Sequence, residues 1–336
     1  MQFGIFDQND IPATEPGSAD LAAHLETRLH LAAFYDAAGF DRYHVSEHHA
    51  TPLSATPATG AWLGAVAQRT RRIRLGPLVY ILPLRHPLQL AEEVCLLDQM
   101  SGGRFELGIG RGVSPFELGY HGVDAAASPA MLQEGLALLL KALTEEEVSF
   151  AGRFWQCREV PVVLRPRQRP HPPLWMPSAT VEHAARAAAA GAATVCNAPV
   201  GRVAEIVARY RAEWRRPDPM PCLGLSRALV LAESAAEARA VARRAWRVHA
   251  TNFLRLWRRH GAQPATAQMT EDFDAAEAAG LAFAGTPAMI RDALRAQVAA
   301  TGVNYLVSRF AFGDQDEAEM LRSASLFARE VMPALA

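Results

Sequence analysis

Strand-like and helix-like segments alternate along this chain from one end to the other. Such alternation leaves few folds open, because consecutive parallel strands need long crossovers and a helix is the usual one. The strand-like runs cover residues 2–6, 41–46, 74–82, 105–110, 174–177, 193–198, 223–232 and 304–311. Helical periodicity falls between them, at 21–38, 58–69, 87–100, 129–146, 181–190, 202–214 and 235–257, with further helix around 287 and from 317 onward. Pro87 suits a first helical turn, and Leu90, Val94 and Leu97 share a face that should lie on a sheet. Eight strand–helix units in 336 residues predict an α/β fold, a (β/α)8 TIM barrel in one domain with insertion segments. A doubly wound open sheet is the alternative. No Pro/Ser/Gly-rich linker divides the chain, and no short repeat recurs. The stretch 148–173 is irregular, and 260–284 is weakly periodic and long enough to be a lid.

Composition excludes several function classes. The formal net charge is -1, so no overall field draws nucleic acid or an anionic membrane. The arginine cluster Arg69, Arg71, Arg72 and Arg74, like Arg165, Arg167 and Arg169, has no interleaved aromatics and reads as solvated surface. Lys141 is the single lysine and follows Leu140, so a Walker-type phosphate loop is absent. Cys95, Cys157, Cys196 and Cys222 lack metal-ligand spacing, which argues against zinc and for a reducing, cytoplasmic setting. MQFGIFD reads as a strand from the start, so no secretory signal is expected, and no apolar run is long enough to span a bilayer.

The chemistry-bearing residues fall just past strand ends, where barrel enzymes build their sites. Ser46-Glu47-His48-His49 follows the second strand. Neighbours on an extended chain point apart, so a metal is a weak reading. One histidine as a general acid/base with a carboxylate orienting it is the better one. Gly108-Ile109-Gly110-Arg111-Gly112 follows the fourth strand and lacks the dinucleotide spacing. Its glycines would let a planar ring approach, and Arg111 could pair with a phosphate. After the fifth strand, Ser178 or Thr180 can cap the next helix, whose first turn would attract a phosphate. Asn197, past the sixth strand, could offer an amide to a ring edge. Phe3, Phe6, Tyr80, Phe116 and Trp175 are candidates for an apolar pocket, although barrel cores need such residues anyway.

Four blocks, SEHH at 46–49, LGPLVYILPLRHP at 75–87, AEEVCLLDQMSGGRFELGIGRG at 91–112 and AGTPAMIRDAL at 284–294, resemble the bacterial luciferase-like flavin monooxygenases in order and spacing. The resemblance covers essentially the whole chain and implies a TIM barrel using FMN or, in one branch, F420. It implies that His48 is catalytic, with Glu47 and His49 beside it. Leu78 and Val79 fall where members carry a non-proline cis peptide under the flavin. Arg111, Val113, Ser178, Ala179 and Thr180 match phosphate-site positions, Gly110 lies beside the ring, and Glu117 matches an acidic loop position. Two departures stand out. Gly110 replaces the reactive cysteine of luciferase, so light emission is not implied, and Pro177 replaces an acidic residue. The resemblance further implies reduced FMN delivered by a separate reductase, O2 adding at C4a to give a peroxide, and transfer of oxygen to a small organic substrate. It also implies a homodimer formed through helices 58–69 and 87–100. An F420-dependent hydride transferase and a non-catalytic flavin-binding subunit are the alternatives.

Overall fold

The computed structural model describes residues 1–12, 20–264 and 269–336. Eight strands form the barrel: β1 (Gln2–Asp7), β2 (Arg42–Val45), β3 (Arg74–Pro77), β4 (Leu107–Gly110), β5 (Leu174–Trp175), β6 (Thr194–Cys196), β7 (Leu223–Leu231) and β8 (Tyr305–Arg309). β8, β1, β2 and β3 pair side by side in parallel, as do β6, β7 and β8. β4 pairs with β5. Single parallel bridges at Leu75–Phe105 and Trp175–Ala193 join the remaining edges and close the ring. The open-sheet alternative is therefore not the fold.

The helices are α1 (Leu21–Ala38), α2 (Thr59–Arg69), α3 (Pro87–Met100), α4 (Pro115–Tyr120), α5 (Ser128–Thr144), α6 (Val181–Ala190), α7 (Val200–Glu213), α8 (Ala235–Arg259), α9 (Phe273–Ala278), α10 (Pro287–Thr301) and α11 (Glu317–Leu326). Leu90, Val94 and Leu97 of α3 are buried, as their spacing predicts. Among the described residues no helix is long and apolar enough to cross a membrane.

The run 74–82 is not one strand. Pro77 has no N–H for the ladder, so pairing with β2 stops there, and Leu78 N donates a last bond to Val45 O at 2.7 Å. The Leu78-Val79 peptide is cis, and Tyr80–Ile81 then pairs with β4 instead. The irregular stretch 148–173 holds an antiparallel hairpin, Glu147–Ala151 with Gln156–Pro161. Its strands are mostly exposed and carry little apolar alternation, so periodicity could not reveal it. Glu134 anchors its turn by accepting from the backbone N–H groups of Arg153, Phe154 and Trp155 at 2.7–2.9 Å.

Of the candidate lid, residues 265–268 lie outside the described residues. Phe273 and Ala276 of α9 are buried against α8, and Ala282–Gly285 pairs with the extended end of β7.

Inside the barrel, strand alternation turns Phe6, Leu78, Trp175, Val195, Tyr305 and Val307 toward the axis. Polar side chains plug the base. Arg42 Nε donates to Glu106 Oε2 at 3.1 Å, Trp175 Nε1 donates to the same oxygen at 2.6 Å, and Arg74 pairs with Glu106. Above them His44 meets the Tyr305 hydroxyl at 2.9 Å. Burial, with the charge of Arg42 adding to it, lowers His44 to about 3. With its base filled, the barrel is open to chemistry only at the C-terminal ends of its strands.

Candidate active site

The chain leaving β2 at that mouth carries Glu47 and His48, both buried, and His49, half-buried. Each finds a different partner. His48 Nδ1 lies 3.2 Å from Glu117 Oε1, and His49 N donates to Glu117 Oε2 at 2.8 Å. Glu117 sits in the first turn of α4, whose N-cap Ser114 accepts from Glu117 N at 3.3 Å. His49 Nε2 meets Glu47 Oε1 at 3.0 Å. Glu47 Oε2 accepts from Arg85 Nη2 at 2.9 Å and from Arg85 Nε at 3.2 Å. Burial opposes the charge of Arg85, but Glu47 more than offsets it and keeps the guanidinium above its usual range.

The two carboxylates therefore differ. Arg85 neutralises Glu47, so His49 meets a charge already balanced. Among the described residues no arginine pairs with Glu117, and the side chain that meets it is His48, through a ring nitrogen that can carry a proton. His48 is thus the better placed of the two to hold and release one. It lines a cleft of ≈10 Å³ between α4 and the last turns of α8, with Leu53, Val113, Phe253 and Trp257. Phe116 stacks on His260 at 4.2 Å between ring centres, and Tyr120 OH meets His260 Nε2 at 2.7 Å, which clasps α4 to the end of α8.

Beside this pair lies a shallow ledge. Phe6, Leu78, Val79 and Gly110 all remain half-buried at the mouth. A Cβ on Gly110 would come 2.4 Å from Val79 Cγ2, so any larger residue would push that side chain aside. The ledge is flat and apolar because no side chain rises from β4 at that point.

A cationic corner adjoins the ledge. Arg111 is exposed and Val113 is 60% exposed. Thr180 caps α6 by accepting from His183 N at 3.3 Å, while Ser178 is buried with its Oγ 2.8 Å from Thr194 Oγ1. Ala179 between them is exposed. Burial lowers the pKa of His183, and the charges of Arg186 and Arg111 lower it further. The charges of Arg111 and Arg186 therefore both act on the first turn of α6, an arrangement that fits a phosphate.

The sequence pattern of the luciferase-like monooxygenases matches residues 1–305. The chain belongs to this family. The protein y4wF of Sinorhizobium fredii is 40% identical over 99% of this chain and 96% of its own. The monooxygenase RslO1 from Streptomyces bottropensis superposes over both full chains with a TM-score of 0.84 and 28% identity. The oxygenating constituent of 3,6-diketocamphane monooxygenase from the CAM plasmid of Pseudomonas putida, solved in complex with FMN, superposes with a TM-score of 0.78 over 99% of this chain and 98% of that one. At 21% identity that likeness concerns the fold.

For a luciferase-like monooxygenase, the sequence reading named a compact set. Glu47, His48, His49, Leu78, Val79, Gly110, Arg111, Val113, Ser178, Ala179 and Thr180 all stand at the ends of β2 to β5, on one mouth. Ser178 is the least available of them, because Thr194 occupies its hydroxyl. Of the aromatic pocket candidates, Phe3 and Tyr80 face outward into the helix-packed core and Trp175 plugs the base. Phe6 and Phe116 stand near the mouth. Arg74, read as solvated surface, is half-buried against Glu106. The reading missed Arg85, although it lies within the quoted block LGPLVYILPLRHP. It also missed Phe253 and Trp257 as walls of the His48 cleft, since α8 reaches the mouth only through the turn of the tertiary chain.

Proposed function

We propose that this protein is the oxygenase half of a two-component system, using reduced FMN and O2 to oxygenate a small organic molecule. The observation that carries the reading is the convergence at one mouth of the His48–Glu117 pair, the Leu78–Val79 ledge and the Arg111 corner. The residues fit the cofactor. The ledge, bare of side chains at Gly110, suits a planar ring, and Arg111, Thr180 and the N–H groups of α6 suit its phosphate. Bound in reduced form, the flavin supplies the electrons that activate O2. The chain's part is to hold a proton at His48 Nε2, kept in orientation by Glu117 at Nδ1. The pair delivers the proton to the reacting oxygen or takes one from the substrate. Phe253, Leu256 and Trp257 of α8 keep water from His48. A relative from Acinetobacter baylyi, 31% identical over 44% of this chain and 41% of its own, is the oxygenase component of a flavin-dependent trigonelline monooxygenase, which supports a flavin and a two-component arrangement. No GxGxxG segment for a nicotinamide is present in the sequence.

We also assign a homodimer to the α2–α3 face. Gly60, Ala61, Gly64 and Ala65 line a groove of ≈520 Å³ there with Leu96 and Met100, which are 54% and 41% exposed. The four cysteines are free, which supports a reducing, cytoplasmic setting.

The deciding experiment titrates the protein anaerobically with photoreduced FMN and, separately, reduced F420, then admits O2 with an aldehyde series. Tight binding of reduced FMN and an oxygenated product are expected, with the His48→Ala protein binding FMN but losing product. Wild-type rates from His48→Ala would remove the role of His48, and product from reduced F420 alone would replace the oxygenase reading by hydride transfer.

A further inference from the structure

Alternation along β8 turns Tyr305 and Val307 inward, so Arg309 also points into the barrel, at its mouth end. β1 and β8 run in register, with Ile5 opposite Ser308, which sets Phe6 beside Arg309. Phe6 faces inward yet is only half-buried, so the barrel is open at this level. Arg309 itself is 4% exposed, and burial lowers its guanidinium to about 10.

Among the described residues no carboxylate bonds this charge directly; Asp10 acts on it from behind His249. Both hydrogen bonds of the guanidinium, among the described residues, are made through Nη1: to Gln8 Oε1 at 3.0 Å and to His249 Nε2 at 3.4 Å. An arginine can only donate, so His249 Nε2 accepts and its Nδ1 proton goes to Asp10 Oδ2 at 2.5 Å. That chain fastens α8 to the ends of β1 and β8. Nε is buried without a partner among the described residues. Just past β2, Ser46 has a hydroxyl that is also buried without a partner among the described residues.

Fastening α8 explains Nη1 and nothing more. A neutral amide would satisfy Gln8 and His249 equally well, without the cost of burying a cation. The unused Nε–Nη2 edge is the one that takes two coplanar oxygens side-on. We propose that Arg309 binds a carboxylate of the organic substrate through this edge, on the wall separated from the Leu78–Val79 ledge by β1 and β2. The inference rests on reading the mouth as the substrate chamber, and it names the class of substrate: an organic acid.

The test uses benzoate and hexanoate as probes, each beside its amide, with affinity read by calorimetry on the full chain without flavin. The carboxylates should bind and the amides should bind about tenfold more weakly or worse. Arg309→Gln should lose about tenfold in carboxylate affinity while FMN affinity is unchanged, and Arg309→Lys should fall between. Equal binding of acid and amide, no binding of either acid, or loss of FMN in place of the acids would overturn the proposal. If Arg309→Gln does not fold, the acid–amide comparison on the wild-type chain decides alone. Because no turnover is read, a failed oxygenation assay would leave the carboxylate site standing.

Discussion

Glu117 orients the imidazole of His48 with one oxygen and ties down the backbone of His49 with the other. Replacing it by glutamine keeps the shape and removes the charge. Glu117→Gln should lower kcat for oxygenation roughly 100-fold with KM little changed, the loss expected for a disabled proton carrier. The measurement is product formed per O2 consumed, and wild-type coupling would detach Glu117 from the chemistry. A second prediction concerns His44. Its folded pKa of about 3 lies below the ordinary value of 6.5, so the unfolded chain binds a proton that the folded one refuses. Stability from this group is complete above pH 6.5 and is lost as pH falls toward 3, at up to about 1.4 kcal/mol per pH unit. His24, lowered to about 4 by burial and Arg28, acts in the same direction. Denaturant midpoints for His44→Gln should therefore fall less steeply with acid than those of the wild type. An unchanged slope would contradict the burial argument.

At the scale of elements, β3 and β4 approach so closely that only glycine fits between them. A Cβ on Gly108 would sit 1.9 Å from Pro77 O, and one on Gly76 would sit 2.0 Å from Glu106 O. Backbone cannot rotate away as a side chain can, so the strands would have to part. Gly108→Ala should cost about 3 kcal/mol, near the upper end for overpacking, and show it as a lower urea midpoint. At Gly110 the obstacle is the Val79 side chain at the ledge, so Gly110→Ala should cost less stability and weaken FMN binding more. Flavin fluorescence titration separates the two effects. The same tightness explains why periodicity ran strand three through residue 82, when pairing passes from β2 to β4 after Pro77.

For the whole molecule, the exposed small and apolar residues of α2 and α3 set the assembly prediction. Leu96→Glu should convert a dimer into a monomer in light scattering with the barrel's circular dichroism unchanged. A wild-type chain already monomeric at high micromolar concentration would dispose of the interface. Neither result touches the barrel itself, whose ring closes through eight strands of one chain.

The order of elements was legible because strands and helices bury different periods, two and 3.6, and each leaves its own pattern in the apolar residues. The glycine-rich exit, the SEHH run and the helix-capping Thr180 were legible for the same local reason: turns, caps and close backbone approach demand particular residue types. Pairings across the ring were not. That Arg85 answers Glu47, that Glu117 answers His48, and that His249 on α8 joins Asp10 to Arg309 depend on where the closed barrel brings segments tens to hundreds of residues apart. A charge leaves no periodic trace of its partner. Only closure of the barrel decided which carboxylate was balanced and which was left for a histidine.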